Sequence, residues 1–100
     1  MTEKLIIQVD RELEDLMPLF MDTRMRDMAG LAKGLASNDF VALRVIGHGM
    51  KGSGGAFGFQ LVTDIGDIIE ASALKNDATT IAQQFALLRD YLARVEVQYV

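Results

Sequence analysis

The sequence predicts an all-α protein: an antiparallel up-down four-helix bundle with a short additional N-terminal helix. Three observations carry that prediction. Apolar residues recur at spacings of three and four in successive segments. Short clusters of turn and capping residues, Ser37-Asn38-Asp39 and Asn76-Asp77, separate those segments. With six methionines, one proline and only 7% aromatics, the composition suits helices better than a sandwich of short strands.

The elements follow in order. The opening Leu-Ile-Ile-Gln-Val-Asp could pass for a strand but reads as an extended lead-in. It ends at Asp10, an N-cap for a short helix carrying Leu13 and Leu16. Pro18 fits the first position of the next helix, where its missing N–H is not needed. That helix places Met21, Met25, Met28, Leu31, Ala32 and Leu35 on one side. Arg24 falls inside the same stripe, with its stem along the core edge and its head in water, unless the phase is slightly off. A helix from Asp39 carries Phe40, Leu43 and Ile46 into a run of glycines. The next carries Leu61, Ile65, Ile68 and Ser72 along one seam. The last carries Ile81, Phe85, Leu88, Leu92, Val95 and Tyr99, a bundle-type seam. One domain over residues 1–100 is expected, with bundle helices near 18–36, 39–55, 58–75 and 77–98.

Composition excludes several functions. There is no cysteine, hence no disulfide framework, thiolate metal site or Cys nucleophile, and one histidine rules out a two-His metal motif. A net charge of −4 disfavours nucleic acid and anionic membrane surfaces. The longest uncharged run, Gly52 to Thr63, is too short to span a bilayer. A monomeric cytoplasmic protein with no metal or cofactor of its own is the expectation.

One segment departs from these rules. Residues 47–58 read Gly-His-Gly-Met-Lys-Gly-Ser-Gly-Gly-Ala-Phe-Gly and hold six of the nine glycines. Were Gly47, Gly49, Gly52, Gly54 and Gly55 all helical, the propensity penalty would be about 4–5 kcal/mol. Such a departure marks a site. Three readings compete. Gly47-x-Gly49-x-x-Gly52 matches a dinucleotide fingerprint literally, with Phe40 to Ile46 as its strand and Asp67 or Glu70 as its ribose acid. The flanking segments are helical by period, however, and no strands remain for a parallel sheet. A plain glycine loop with an incidental or buried histidine is the second reading. Against burial, a stripe centred on Met50 gathers Leu43, Ile46, Gly54 and Phe57 within about 40° and leaves His48 about 160° away. Its outer-face neighbours are Val41, Arg44, Val45, Lys51, Gly52 and Gly55, a surface with no acids and a composition suited to contact. The third reading puts chemistry on His48. Neutral imidazole is a good nucleophile. Lys51, three residues on, could offset the roughly −2 charge of a phosphoryl group. Gly52, four residues on, would leave access open. No second base or acid partner is visible, so the site can carry a group without being a complete enzyme.

These residues resemble the histidine-containing phosphotransfer (HPt) family, whose motif is H-x-x-K-G followed by small residues and a glycine ten positions after the histidine. His48, Lys51, Gly52, Ser53 and Gly58 match in register. Met50 stands at the usual leucine, and Gln60 at a frequent polar position. Asp39, the Ile68-Ile69-Glu70 stretch and the helix order are also similar, from about Asp10 to Val97. The resemblance implies a phosphorelay intermediate, not an enzyme in its own right. His48 would take a phosphoryl group on Nε2 from the aspartyl phosphate of a receiver domain, in a response regulator or hybrid histidine kinase, and pass it to another receiver. The receiver would supply carboxylates and Mg²⁺. Lys51 would position the phosphoryl oxygens and Gly52 would leave room for docking. Ser53 and Gln60 would orient groups by hydrogen bonds. Val41, Arg44, Val45 and Gly55 are docking candidates from the face arithmetic. The rival expectation is a helical interaction module that binds receivers without being phosphorylated.

Overall fold

The computed structural model describes residues 3–100; the first two positions of the expected 1–100 domain lie outside it. Strand β1 (Leu5–Val9) leads into a 3₁₀ helix over Arg11–Leu16 and then α1 (Met17–Ser37). Helix α2 (Phe40–Ser53) passes through a 3₁₀ turn, Gly55–Phe57, into α3 (Gln60–Leu74). Helix α4 (Ala78–Arg94) ends directly in β2 (Val95–Tyr99).

The helix ends are set by short polar side chains. Asp10, Asp39 and Asp77 each cap a start by accepting a backbone N–H, from Glu12, Ala42 and Thr80 respectively. Asp77 also accepts the Thr80 hydroxyl, and these bonds hold its carboxyl below the ordinary range. Asn38 closes α1 in the left-handed conformation, φ 52°, where asparagine costs less than most residues. Pro18 sits in the first turn of α1.

The core is one cluster running from Val9 through Phe20, Leu31, Leu43, Met50, Val62, Ile65, Ile69, Ile81 and Leu88. Phe59 is fully buried in it, with Phe20 4.9 Å away and Tyr91 edge-on at 6.1 Å. Burial lifts the Tyr91 hydroxyl above its ordinary pKa.

Several sequence expectations need correction. The last helix does not reach residue 98. Residues 95–99 form β2, which pairs in parallel with β1 from Leu5↔Val95 to Val9↔Tyr99. Val95, Val97 and Tyr99 alternate with Glu96 and Gln98, a strand pattern that a spacing of four between 95 and 99 also satisfies. The lead-in is therefore a strand, and the short N-terminal helix is 3₁₀.

The α1 stripe is right in part: Leu31 is buried and Met21, Met28 and Leu35 pack against the core, but its centre is shifted. Met17, Phe20, Arg24, Leu31 and Gly34 face inward, while Met25 is exposed and Ala32 lies on the surface. Arg24 is buried whole rather than only by its stem. Its Nε donates to Asp27 at 2.8 Å, its Nη1 to the Ser53 hydroxyl at 2.9 Å, and its guanidinium lies 4.7 Å from the Phe20 ring centre. A buried charge needs such partners. The Asp27 carboxyl is pushed up by desolvation, against the pull of Arg24.

The α3 seam is Val62, Ile65, Gly66, Ile69, Ser72 and Ala73. Leu61 and Ile68 lie on the exposed side.

Candidate functional site

The site begins with how closely α2 and α3 approach. A Cβ on Gly66 would lie 2.5 Å from the Lys51 backbone N and 2.6 Å from the Gly47 carbonyl O. One on Gly47 would lie 2.8 Å from the Glu70 backbone N and 2.9 Å from the Gly66 carbonyl O. These are backbone atoms, which cannot swing aside. The two helices therefore meet main chain to main chain at a glycine pair, and no larger residue fits at either position. Gly54 extends the same contact to the Phe59 carbonyl and the Thr63 N–H.

That approach brings α3 side chains to the foot of His48. The imidazole stands out from α2 with 75% of its side chain exposed. Its Nδ1 lies 2.6 Å from Glu70 Oε2. The other oxygen of the same carboxylate, Oε1, lies 3.6 Å from Lys51 Nζ, and Asp67 Oδ1 is closer to that ammonium, at 3.1 Å. Glu70 is mostly buried, at 19% exposure, and so is a fixed bridge between ring and cation. Hydrogen bonding to Asp67 raises the Lys51 pKa most; the charges of Asp67 and Glu70 add to it.

The chemistry follows from donor and acceptor inventories. A carboxylate only accepts, so Nδ1 carries the proton it shares with Glu70. In the neutral ring the lone pair is then on Nε2, the nitrogen turned away from α3. The arrangement presents one oriented nucleophile with a cation held nearby.

Val41 and Val45 are exposed on the outer face of α2, as are Arg44, Gly49, Lys51 and Gly52. Gly52 and Gly49 have open space where a Cβ would be. Gly55 is tighter: a Cβ there would meet the Gln60 Oε1 at 3.1 Å. Two of the sequence candidates are occupied elsewhere. The Ser53 hydroxyl accepts from Arg24 and donates to the Gly49 carbonyl, on the α1 side of the helix. The Gln60 amide donates to Asp64.

The surface around His48 is not free of acids, contrary to the sequence reading. Asp67 and Glu70 come from α3, and counting residues on α2 alone could not find them. The sequence offers Glu70 only within a family-like stretch or as a ribose acid, not as the partner of His48. The dinucleotide reading falls on geometry: Phe40 to Ile46 is helix, and Gly47, Gly49 and Gly52 all lie inside α2 rather than between a strand and a helix.

Bundle, outward imidazole, adjacent lysine and bare glycine together define a helical module with one solvent-exposed histidine beside a cation. The comparison with known families agrees: the Hpt domain model matches residues 15–98, and the chain belongs to that family. Hpt domains interact with receiver domains in phosphorelays, and membership gives this chain a phosphotransfer role in two-component signalling. No match is found among curated proteins or solved structures. Among the described residues, no helix is long and apolar enough to cross a membrane.

Proposed function

We propose that the chain is a phosphohistidine carrier in which His48 Nε2 accepts the phosphoryl group of a receiver's aspartyl phosphate and returns it to a second receiver. In the first step the acyl P–O bond breaks and the Nε2–P bond forms, and the electron pair leaves on the aspartate carboxylate. Nδ1 keeps its proton, and Glu70 balances the positive charge that the ring gains. The second step is the reverse, onto another aspartate. Lys51 faces the phosphoryl oxygens as a point charge. The Mg²⁺ and the carboxylates that stabilise the moving group belong to the receiver, so this chain is a carrier rather than an enzyme. It works in this reading as a cytoplasmic monomer. The receiver rests on the bare backbone at Gly52 and on the exposed Val41, Arg44, Val45 and Gly55.

The observation that carries the reading is the His48–Glu70 bond on a ring otherwise open to solvent. Incubation with a panel of phosphorylated receivers tests it. The expected result is acid-labile, base-stable label on the wild-type chain and none on His48→Gln. The variant keeps its helicity and melting point, because the side chain is largely exposed. Binding to receivers with no label in any case would instead make the chain an interaction module. A large loss of stability in His48→Gln would overturn the exposed-nucleophile geometry.

A further inference from the structure

Lys51 is shared in a way that a dedicated phosphoryl ligand would not be. Its ammonium lies 3.1 Å from Asp67 and 3.6 Å from Glu70, and Glu70 also holds the His48 ring. Glu70 thus has two partners and is mostly buried, whereas Asp67 lies one turn earlier on α3 and is 60% exposed. The Gly47–Gly66 contact fixes the spacing of the two helices, so Lys51 and Asp67 face one another by backbone geometry. An ammonium has three donors and a single charge. A phosphoryl group arriving on His48 brings roughly −2, and Lys51 must then divide itself between the newcomer and Asp67.

We infer that Asp67 is a positioning residue that acts through Lys51: it holds the ammonium in the unphosphorylated protein and competes with the phosphoryl group for it. The inference rests on His48 being the phosphoryl carrier. Its consequence is that Asp67 limits how tightly the site retains the group, which leaves the phosphoryl ready to move on. The raised Lys51 pKa, for which Asp67 is the leading cause, is consistent with a real hold on the ammonium.

The test uses the full chain and phosphoimidazole. His48 Nε2 attacks phosphorus, the P–N bond of the small molecule breaks, and neutral imidazole leaves with the proton already on its other nitrogen. The equilibrium constant of this exchange, read by phosphorus NMR, measures retention without any receiver. Asp67→Asn keeps the shape and removes the charge. It is expected to raise the constant about two- to fivefold, the range of an exposed ion pair. Asp67→Glu is expected to keep the wild-type constant. In a Lys51→Met background, Asp67→Asn is expected to change nothing. A merely structural role would leave the exchange constant unmoved in all three. An unchanged constant in Asp67→Asn would overturn the inference. So would an equal rise in the Lys51→Met background, since the effect would then be direct repulsion. Should Asp67→Asn fail to fold, Asp67→Ser takes its place; failure of both would make Asp67 structural and also overturn it. The receiver panel tests the carrier reading separately. Label from receivers with an unmoved constant sinks only the role of Asp67. Exchange with phosphoimidazole but label from no receiver sinks the carrier reading.

Discussion

Along α2, Gly47 and Gly54 face the α3 seam, where a Cβ would strike backbone within 3 Å. Gly49 and Gly52 face solvent, where a Cβ would meet nothing within 4 Å. The inner pair is required by packing, because only a residue without a side chain lets two main chains touch. Among the described residues, no contact requires the outer pair to lack a side chain. Each outer glycine still forfeits about 1 kcal/mol of helix propensity relative to alanine. The docking proposed above would make use of that open backbone. The same residue type therefore does two jobs on opposite sides of one helix, and only the structure separates them.

The largest expected effect is on the inner side. Gly66→Ala would force α3 away from Lys51 and Gly47, and should lower stability by about 2 kcal/mol after its gain in propensity. It should also loosen the His48–Glu70 bond. Denaturant melts and the rate of labelling check both, and an unaltered melt would break the contrast between the two sides.

Gly52→Gln is next. It should slow transfer from a phosphorylated receiver by about tenfold, equivalent to ~1.4 kcal/mol of lost docking, and leave helicity intact or improved. Unimpaired transfer would show that the outer side needs no bare backbone.

The smallest effect sharpens the comparison most. Gly49→Ala should stabilise the protein by up to about 1 kcal/mol, opposite in sign to Gly66→Ala, as read by urea midpoints at constant m-value.

What the sequence revealed divides along the same line. Local signals were legible: the aspartates and asparagines at helix ends, and a glycine tract too costly to be ordinary. The outward direction of His48 followed from its position relative to Met50. Contacts between helices were not legible. Counting apolar residues placed Leu61 and Ile68 on the α3 seam, yet Gly66 occupies its centre. A glycine that packs against backbone has no hydrophobicity to count. Arg24 misled for the opposite reason: a charge is assigned to water until its buried partners, Asp27 and Ser53, are known. Glu70 and Asp67 were visible as residues but not as neighbours of His48 and Lys51. The condition on the propensity penalty is met only in part. Gly47, Gly49 and Gly52 are helical, but Gly54 is the C-cap of α2 and Gly55 lies in the turn beyond it.

The parallel pairing of β1 with β2 has a kinetic corollary. It joins Leu5 to Val95, almost the whole chain apart, with the entire bundle as the crossover between two parallel strands. Such a contact is entropically remote until the intervening helices have collapsed. The clasp is therefore expected to close last, so that pulse-labelled amide exchange during refolding would protect the strand N–H groups after those of the helices.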